Sequence, residues 1–327
     1  MNSPLVSVIV LNYNGAGLLP ECLSSLSGQD WPNLEIIVAD NASHDNSREV
    51  TESCGAHFHA MDRNYGFSYT NDHAAAAANG DFLFFVNNDM KFDASCISRM
   101  MGLILADDRV FSADPKQLDW AGNKIVHHAL RFAPGTFFHR SILPWVDIVP
   151  QDGPIEVPFG CAGAMLARKS MFDQLGGFDK EFLFDFEDVD LSWRAWLKGW
   201  KTVHVPEALV YHKICGTFKT VANTQSDVAG KAAQDFTTLR MISGQKNYLR
   251  FILKTMSPGL VSLVLVRELL RIAGHAVLRH KAIAYVRLRA FATVLKTLPA
   301  IMRARKLALD GATTDSRTLI KRFMVRT

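Results

Sequence analysis

Four short apolar runs in the first ninety residues each lead into a cluster of Asn, Asp, Gly or Ser, and this pattern restricts what the chain can fold into. Leu5–Leu11 precedes Asn12-Tyr13-Asn14-Gly15, Leu34–Ala39 precedes Asp40-Asn41-Ala42-Ser43-His44-Asp45, His57–Ala60 leads to Arg63-Asn64-Tyr65-Gly66-Phe67, and Phe82–Val86 runs into Asn87-Asn88-Asp89. Runs this short and this rich in Val, Ile and Phe read as strands buried on both faces. Between them, Leu18, Leu19, Cys22, Leu23 and Leu26 recur at helical steps. Asp45–Ser53 has Ser43 or Asp45 as a cap, and the Ala-rich Phe67–Asn79 closes at Gly80, so each connection predicts a helix. Strand and helix in alternation give an α/β fold with a mostly parallel sheet covered on both faces. Ligands of such sheets bind beyond the carboxyl ends of the strands, where all four polar clusters fall. Singly, each cluster is an ordinary turn or cap. Four at one edge predict a binding site.

Further along, the rhythm is lost between Pro115 and Pro158, and an irregular insertion over one end of the sheet is expected there. It returns with a strand at Gly163–Arg168, a helix from Lys169 to Gly176-Gly177, and a helix at Asp188–Lys198 stopped by Gly199. Strands follow at Lys201–Val205 and Ala208–Tyr211. Trp193, Trp196 and Trp200 sit at helical steps and read as core. The cysteines, Cys22, Cys54, Cys96, Cys161 and Cys215, include no CxxC pair, which argues against a zinc or redox motif and fits a reducing compartment.

The net charge of +4 hides an asymmetry. From Gln245 to Thr327, 17 Lys and Arg face 3 Asp and Glu, a balance of +14, while the remainder carries −10. The division expected is an α/β domain over residues 1–244 and a basic helical tail over 245–327. In the tail, Arg267, Arg271, His275 and Arg279 step by four as one basic stripe, with Leu260, Leu263, Val264, Leu270, Ala273 and Val277 largely away from it. A second such stretch, from Ala282 to Leu309, is interrupted at Pro299. Three readings of this charge stand open: a solvated charged surface, nucleic-acid binding, for which no recognised motif is present, and an amphipathic surface helix on anionic lipid. The longest apolar run there, Pro258–Val266, ends at Arg267, short of the roughly 20 residues of a spanning helix. No basic segment precedes Leu5–Leu11, so no signal peptide is expected.

Two acidic places remain. Asp89 ends an apolar strand, where an unpaired carboxylate is costly; it reads equally as a turn residue or as an oxygen ligand for a hard divalent cation. Glu187-Asp188-Val189-Asp190 follows the aromatic run Phe182-Leu183-Phe184-Asp185-Phe186. A helix N-terminus accounts for one or two of these carboxylates. The aromatic run predicts that at least one is desolvated, and a raised pKa suits a general base.

The strand-end series, Asn87-Asn88-Asp89 and the run Glu187-Asp188-Val189-Asp190-Leu191-Ser192-Trp193-Arg194 together resemble the family 2 glycosyltransferases of GT-A fold, in particular the bacterial rhamnosyltransferase-like branch, over roughly Val6 to His212. The resemblance implies that Tyr13 and Asn14 flank the donor base, that Asp40 bonds it, and that Asn64, Gly66, Phe67 and Asn88 serve the donor nucleotide. It implies a divalent metal, Mn²⁺ or Mg²⁺, on Asp89 and His212. Asn87, standing where the family has the first acid of its DxD, is an uncharged further candidate. Asp188 is implied as catalytic base, Glu187 and Arg194 as supports for the acceptor or the base, and Gly160 and Gly163 as part of an acceptor-side loop, for which close packing is an equal reading. Lys213 and Gly216-Thr217 are additional phosphate contacts. The implied activity is inverting transfer of rhamnose or another hexose from a dTDP- or UDP-type nucleotide-diphosphate sugar to a glycan or lipid-linked acceptor. The implied setting is cell-surface polysaccharide assembly; because acceptors in this branch are commonly lipid-linked glycans, the implied partner of the basic tail is an anionic membrane surface and not nucleic acid, at the inner face of the cytoplasmic membrane. A nucleotidyltransferase would want a basic Gly-rich loop after the first strand, and Asn12-Tyr13-Asn14-Gly15-Ala16-Gly17 has no Lys or Arg. A non-catalytic membrane scaffold would not need Asp188 beside Asp89.

Overall fold

A computed structural model describes residues 3–133, 145–147, 153–182, 185–213 and 229–325, with backbone alone at 145–147 and 229–237. Gly216-Thr217 and Cys215, named above, lie outside the described residues.

The strands are β1 (Val6–Asn12), β2 (Leu34–Asp40), β3 (His57–Ala60), β4 (Phe82–Asn87), β5 (Met90–Phe92), β6 (Val110–Asp119), β7 (Ile125–His127), β8 (Leu130–Phe132), β9 (Trp145–Asp147), β10 (Ile155–Glu156), β11 (Ala164–Arg168) and β12 (Lys201–His212). The principal sheet runs β10-β12-β6-β11-β4-β1-β2-β3, with β5 beside β12 and β7 beside β6. Its first-formed half is parallel, β1 pairing with β2 and β4 and β2 with β3. The other half is mixed: β11 runs antiparallel to β4 and β6, and β12 parallel to β6.

The helices before the tail are α1 (Leu19–Ser27), α2 (Ser47–Ser53), α3 (Phe67–Ala77), α4 (Cys96–Ala106), α5 (Lys169–Leu175) and α6 (Glu187–Leu197). Alternate residues of β1 enter different cores, as a sheet covered on both faces requires. Val6, Val8 and Val10 join Leu19, Leu23 and Leu26 of α1 and Met100 and Ile104 of α4. Ile9 joins Ala74 and Ala75 of α3 and Phe172 of α5.

Four more helices and a short fifth follow: α7 (Ala229–Thr255), α8 (Pro258–Val277), α9 (Lys281–Lys296), α10 (Leu298–Leu309) and α11 (Ser316–Phe323). The boundary expected between residues 244 and 245 falls inside α7. Leu249, Ile252, Leu253 and Met256 of this segment share one apolar cluster with Phe182, Val189, Trp193 and Trp196. The basic segment is thus built onto α6, because its first turns carry an apolar face at helical spacing. Pro299 falls in the first turn of α10, where its missing N–H costs nothing.

Of the irregular insertion expected from Pro115 to Pro158, residues 134–144 and 148–152 lie outside the described residues, and the rest carries strand segments. β6 continues through Pro115 to Asp119, β7 folds back on it, β8 pairs with β9, and β10 adds an edge to β12. Pro115 is tolerated because it lies at the register shift in β12 between Val205 and Leu209, where the ladder is already interrupted. The same irregularity joins the two strands expected around Pro206 into one.

Candidate active site

The carboxyl ends of β1, β2 and β4 meet at a buried amide. Asn12 Nδ2 donates to Asp40 Oδ1 at 2.8 Å and to Ser47 Oγ at 2.9 Å, and Asn12 Oδ1 accepts from Asn88 Nδ2 at 2.6 Å. The parallel register sets Asn12 directly beside Asp40 and Leu11 beside Asn87, so the three strand ends are level. Asn12 had been legible only as a turn former. A Cβ on Gly15 would collide with Asn88 Nδ2 and Asn12 Oδ1, which explains the glycine there.

Asp40 accepts the backbone N–H of Ser43 at 2.8 Å and its hydroxyl at 2.6 Å. Asn14 Oδ1 accepts the His44 N–H at 2.8 Å and ties the β1 loop to the β2 loop. Both loops hold left-handed, non-glycine residues, Asn14 at φ 48° and Ala42 at φ 64°, and such strain persists only where the surroundings impose it. Asn64 Oδ1 accepts from Asn41 Nδ2 at 2.8 Å and from the Gly66 N–H at 3.0 Å, fixing the loop after β3. The β2 loop, the start of α2 and the end of β3 line a cleft of about 420 Å³, with Asp40, Ser43, His44, Phe58 and Met61 among its walls. Tyr13 is half-buried in the β1 loop. Phe67 opens α3 after the left-handed Gly66, and its ring packs edge-on to Phe178 at 5.6 Å. That contact ties the half-buried Phe67 to the core beneath the loop.

Asp89 follows β4 and is buried. The β5–β12 pairing sets Met90 opposite His212, which brings His212 Nε2 to 3.3 Å from Asp89 Oδ1. His212 Nδ1 lies 3.2 Å from Gln117 Oε1, an acceptor, so Nδ1 carries the hydrogen. In the neutral ring the Nε2 lone pair then faces a carboxylate oxygen. Two acceptors opposed in this way fit a shared cation, since donors each bonded to one ion at roughly 2.0–2.2 Å lie about 3 Å apart when adjacent. Asn87 donates its N–H to Gly163 O at 2.9 Å, and its side-chain amide lies against Gly163. Among the described residues no group of three His, Cys, Asp or Glu side chains is placed to hold a metal.

Glu187 and Asp188 open α6. Asp185 at φ 61° and Phe186 at φ 77° precede them, two consecutive left-handed non-glycine residues that turn the helix start toward the strand ends. Asp188 accepts the Val189 N–H at 2.7 Å and the Ala162 N–H at 3.3 Å. Burial pushes the pKa of both carboxyls up. Glu187 reaches about 8, through burial first and the charge of Asp188 second, and among the described residues its Oε2 has no hydrogen-bond partner. The two environments differ: the N–H donors of Val189 and Ala162 favour the charged form of Asp188 against its burial, while Glu187 holds a proton at neutral pH.

Arg194 does not join them. It donates to Asp190 Oδ2 at 2.7 Å, Leu175 O at 2.7 Å and Gly177 O at 2.8 Å. A helix turns about 100° per residue, so Asp190 and Arg194 share a face roughly opposite Asp188. The expected support of acceptor or base is corrected to a tie between α6 and the end of α5. Gly160 and Gly163 are close-packing glycines: a Cβ would come within 2.9 Å of Asp114 Cβ at the first and of Asn87 Nδ2 at the second.

A cluster behind the base had no signal in the sequence. Buried Asp114 accepts from His127 Nε2 and His204 Nδ1, each at 3.0 Å on Oδ2, and from the Cys161 N–H at 2.9 Å on Oδ1. Burial alone would raise its pKa; the two histidines more than reverse this and hold it at about 2. Consecutive amides, Cys161 and Ala162, therefore donate to Asp114 and Asp188. Asp114→Asn should cost about 1–3 kcal/mol in thermal or denaturant melts, the penalty of mispairing a buried polar group.

The mixed sheet, its parallel half and its strand-end site define a GT-A-type sugar transferase. The overall structure superposes on GalNAc-T7 with UDP, GalNAc and Mn²⁺ at a TM-score of 0.57 and 16% identity, covering 79% of this chain and about half (49%) of that one. It matches the mannosyltransferase PcManGT from Pyrobaculum calidifontis, in complex with GDP-Man and Mn²⁺, at 0.54 and 15% identity, covering 97% of this chain and 83% of that one. In sequence it is 24% identical over 234 residues to the N-acetylglucosaminyl-diphospho-decaprenol L-rhamnosyltransferase of Mycobacterium tuberculosis, covering 64% of this chain and 76% of that protein. The family model for glycosyl transferase family 2 matches residues 7–176, and the chain belongs to that family.

Proposed function

We propose that this glycosyltransferase moves rhamnose or another hexose from a dTDP- or UDP-type nucleotide-diphosphate donor to a hydroxyl of a glycan or lipid-linked acceptor, with inversion. The observation that carries the reading is the continuity of the site. Asn12 joins the Asp40 cleft to Asn88, Asn87 is bonded to Gly163, and the neighbouring Ala162 is bonded to Asp188. A donor base beside Asp40 and a diphosphate near Asp89 leave the anomeric carbon toward Asp188. Asp188 takes the acceptor proton as that oxygen attacks, and one direct displacement inverts the centre. Asp89 and His212 would hold a divalent cation, which when bound neutralises charge on the diphosphate leaving group.

The lipid-linked acceptor is supported by the name of the mycobacterial relative. No helix among the described residues is long and apolar enough to cross a membrane, and attachment at the inner face of the cytoplasmic membrane is part of the proposal. Purified protein, assayed for donor hydrolysis and transfer over a panel of nucleotide sugars with Mn²⁺ or Mg²⁺, should turn over a pyrimidine-diphosphate hexose best. Turnover of none of them would overturn the reading.

Gln117 supplies a finer prediction. It orients His212 from behind, and removing such a partner typically weakens metal affinity 10–100-fold. Gln117→Ala should therefore raise the Mn²⁺ concentration for half-maximal activity by about that factor, with little change at saturating Mn²⁺. An unchanged titration would separate His212 from the metal.

A further inference from the structure

Helix α8 is built inside out. Three members of the basic stripe turn inward while Arg279, past the helix end, is exposed: Arg267 is 3% exposed, Glu268 beside it is buried, and Arg271 and His275 are partly covered. The reason is a polar seam with α9, where Arg287 Nη1 donates to both carboxylate oxygens of Glu268 at 2.8 and 2.7 Å. What faces outward instead is apolar. Leu263, Val266, Leu270 and Val277 recur at three-, four- and seven-residue steps on one face, Leu270 57% and Val277 81% exposed, and Leu278 continues the surface into the turn before α9. A helix selected for water does the reverse. Each large apolar side chain left in water forgoes the gain of burial, while the inward charges bear a desolvation cost.

The charges around this face say what covers it. Arg279, His280 and Lys281 are exposed at the α8–α9 turn, Arg289 and Lys296 are exposed along α9, and no Asp or Glu occurs from Val277 to Lys296. A second copy would bring like charge against like. Anionic headgroups are attracted by about 1 kcal/mol per Lys or Arg near the surface. We propose that α8 and the α8–α9 turn form the membrane-docking surface, with Leu263, Val266, Leu270, Val277 and Leu278 among acyl chains and Arg279 and Lys281 at phosphates. This rests on the membrane attachment proposed above and names the face that makes it.

The full chain should be floated with phosphatidylcholine vesicles with and without 30% phosphatidylglycerol (on the order of a charged bacterial leaflet). The comparison is with Val266→Glu/Leu270→Glu/Val277→Glu and with Arg279→Glu/Lys281→Glu. Wild type should float with anionic vesicles. The apolar-face variant should lose at least about ten-fold in partitioning, with melting temperature and donor hydrolysis unchanged. The charge variant should lose its preference for anionic over neutral lipid. Wild type and apolar-face variant floating equally would overturn this face while leaving membrane attachment standing. Wild type failing to float on either vesicle would overturn attachment itself. A wild-type dimer that does not float and that the apolar-face variant converts to monomer would make a second copy the occupant and overturn the proposal.

Discussion

Asp188→Asn is expected to lower turnover by about 10²–10⁴-fold while donor binding, read by titration calorimetry, stays near wild type. The substitution keeps the shape of the side chain and an oxygen for the Ala162 N–H, so the loop from Gly160 to Gly163 retains its anchor. What it removes is the carboxylate proposed to take the acceptor proton. Glu187 does not replace it, because burial, the larger cause of its raised pKa, remains when the charge of Asp188 is gone. The pair has a pH signature of its own. Above about pH 8 Glu187 ionises, a second negative charge appears beside the base, and the diphosphate donor is repelled. Activity of the wild type should therefore fall above that pH, and Glu187→Gln should remove the falling limb while leaving most of the turnover. Stability follows the same sign. A carboxyl whose folded pKa lies above its ordinary 4.5 favours the fold fully below that value and loses its contribution as pH rises through about 8. Glu187→Gln should flatten that loss. Turnover of Asp188→Asn within ten-fold of wild type (short of the roughly 10²-fold minimum expected for general-base loss) would remove Asp188 from the role.

The parallel half of the sheet and its site edge were readable because local signals and tertiary placement agree there. Each apolar run is a strand, each is followed by polar turn formers, and parallel pairing in register then levels their ends. What the sequence could not show depends on distant partners. Asn12 reaches across 28, 35 and 76 residues to Asp40, Ser47 and Asn88, and nothing near Asn12 distinguishes it from a turn asparagine. Asp114 meets His127 and His204 only because β7 folds back on β6 and β12 runs beside it. Two misreadings had local remedies. Helical geometry alone sets Arg194 with Asp190 and away from Asp188. The spacing of Leu249, Ile252, Leu253 and Met256 announces a packed face, where charge alone suggested a separate tail. The period of α8 was correct: a stripe tells which residues share a face, and only the neighbours decide which face is inside.

The second large effect is expected in stability. Lys254 Nζ lies 2.8 Å from Asp179 Oδ2 and 2.9 Å from Asp190 Oδ2, while Arg250 pairs with Asp179 at 3.0 Å and Arg194 with Asp190 at 2.7 Å. All five side chains are largely buried between α6, α7 and the segment after α5. Lys254 is the only member of this cluster that touches both acids, and Asp190 Oδ1 already has no hydrogen-bond partner. Lys254→Met keeps the length of the stem and removes the charge. Each acid keeps one arginine, so the cost is that of two lost hydrogen bonds to charged groups, about 1.5–3 kcal/mol each. Denaturant unfolding should show a loss of that size. The pH dependence should change with it. Burial pushes the pKa of Asp179 up, and Lys254 and then Arg250 more than reverse this, leaving it at about 2. A depressed carboxyl stabilises above its unfolded pKa and loses that contribution as pH falls toward the folded value. Without Lys254 the folded pKa of Asp179 rises, so the variant should begin to lose stability at a higher pH than the wild type. Turnover should fall as well, since α6 carries Glu187 and Asp188 in its first turn and Asp190 on the face that Lys254 grips. A variant as stable as the wild type across that range would mean that α7 holds the base-bearing helix through its apolar contacts alone.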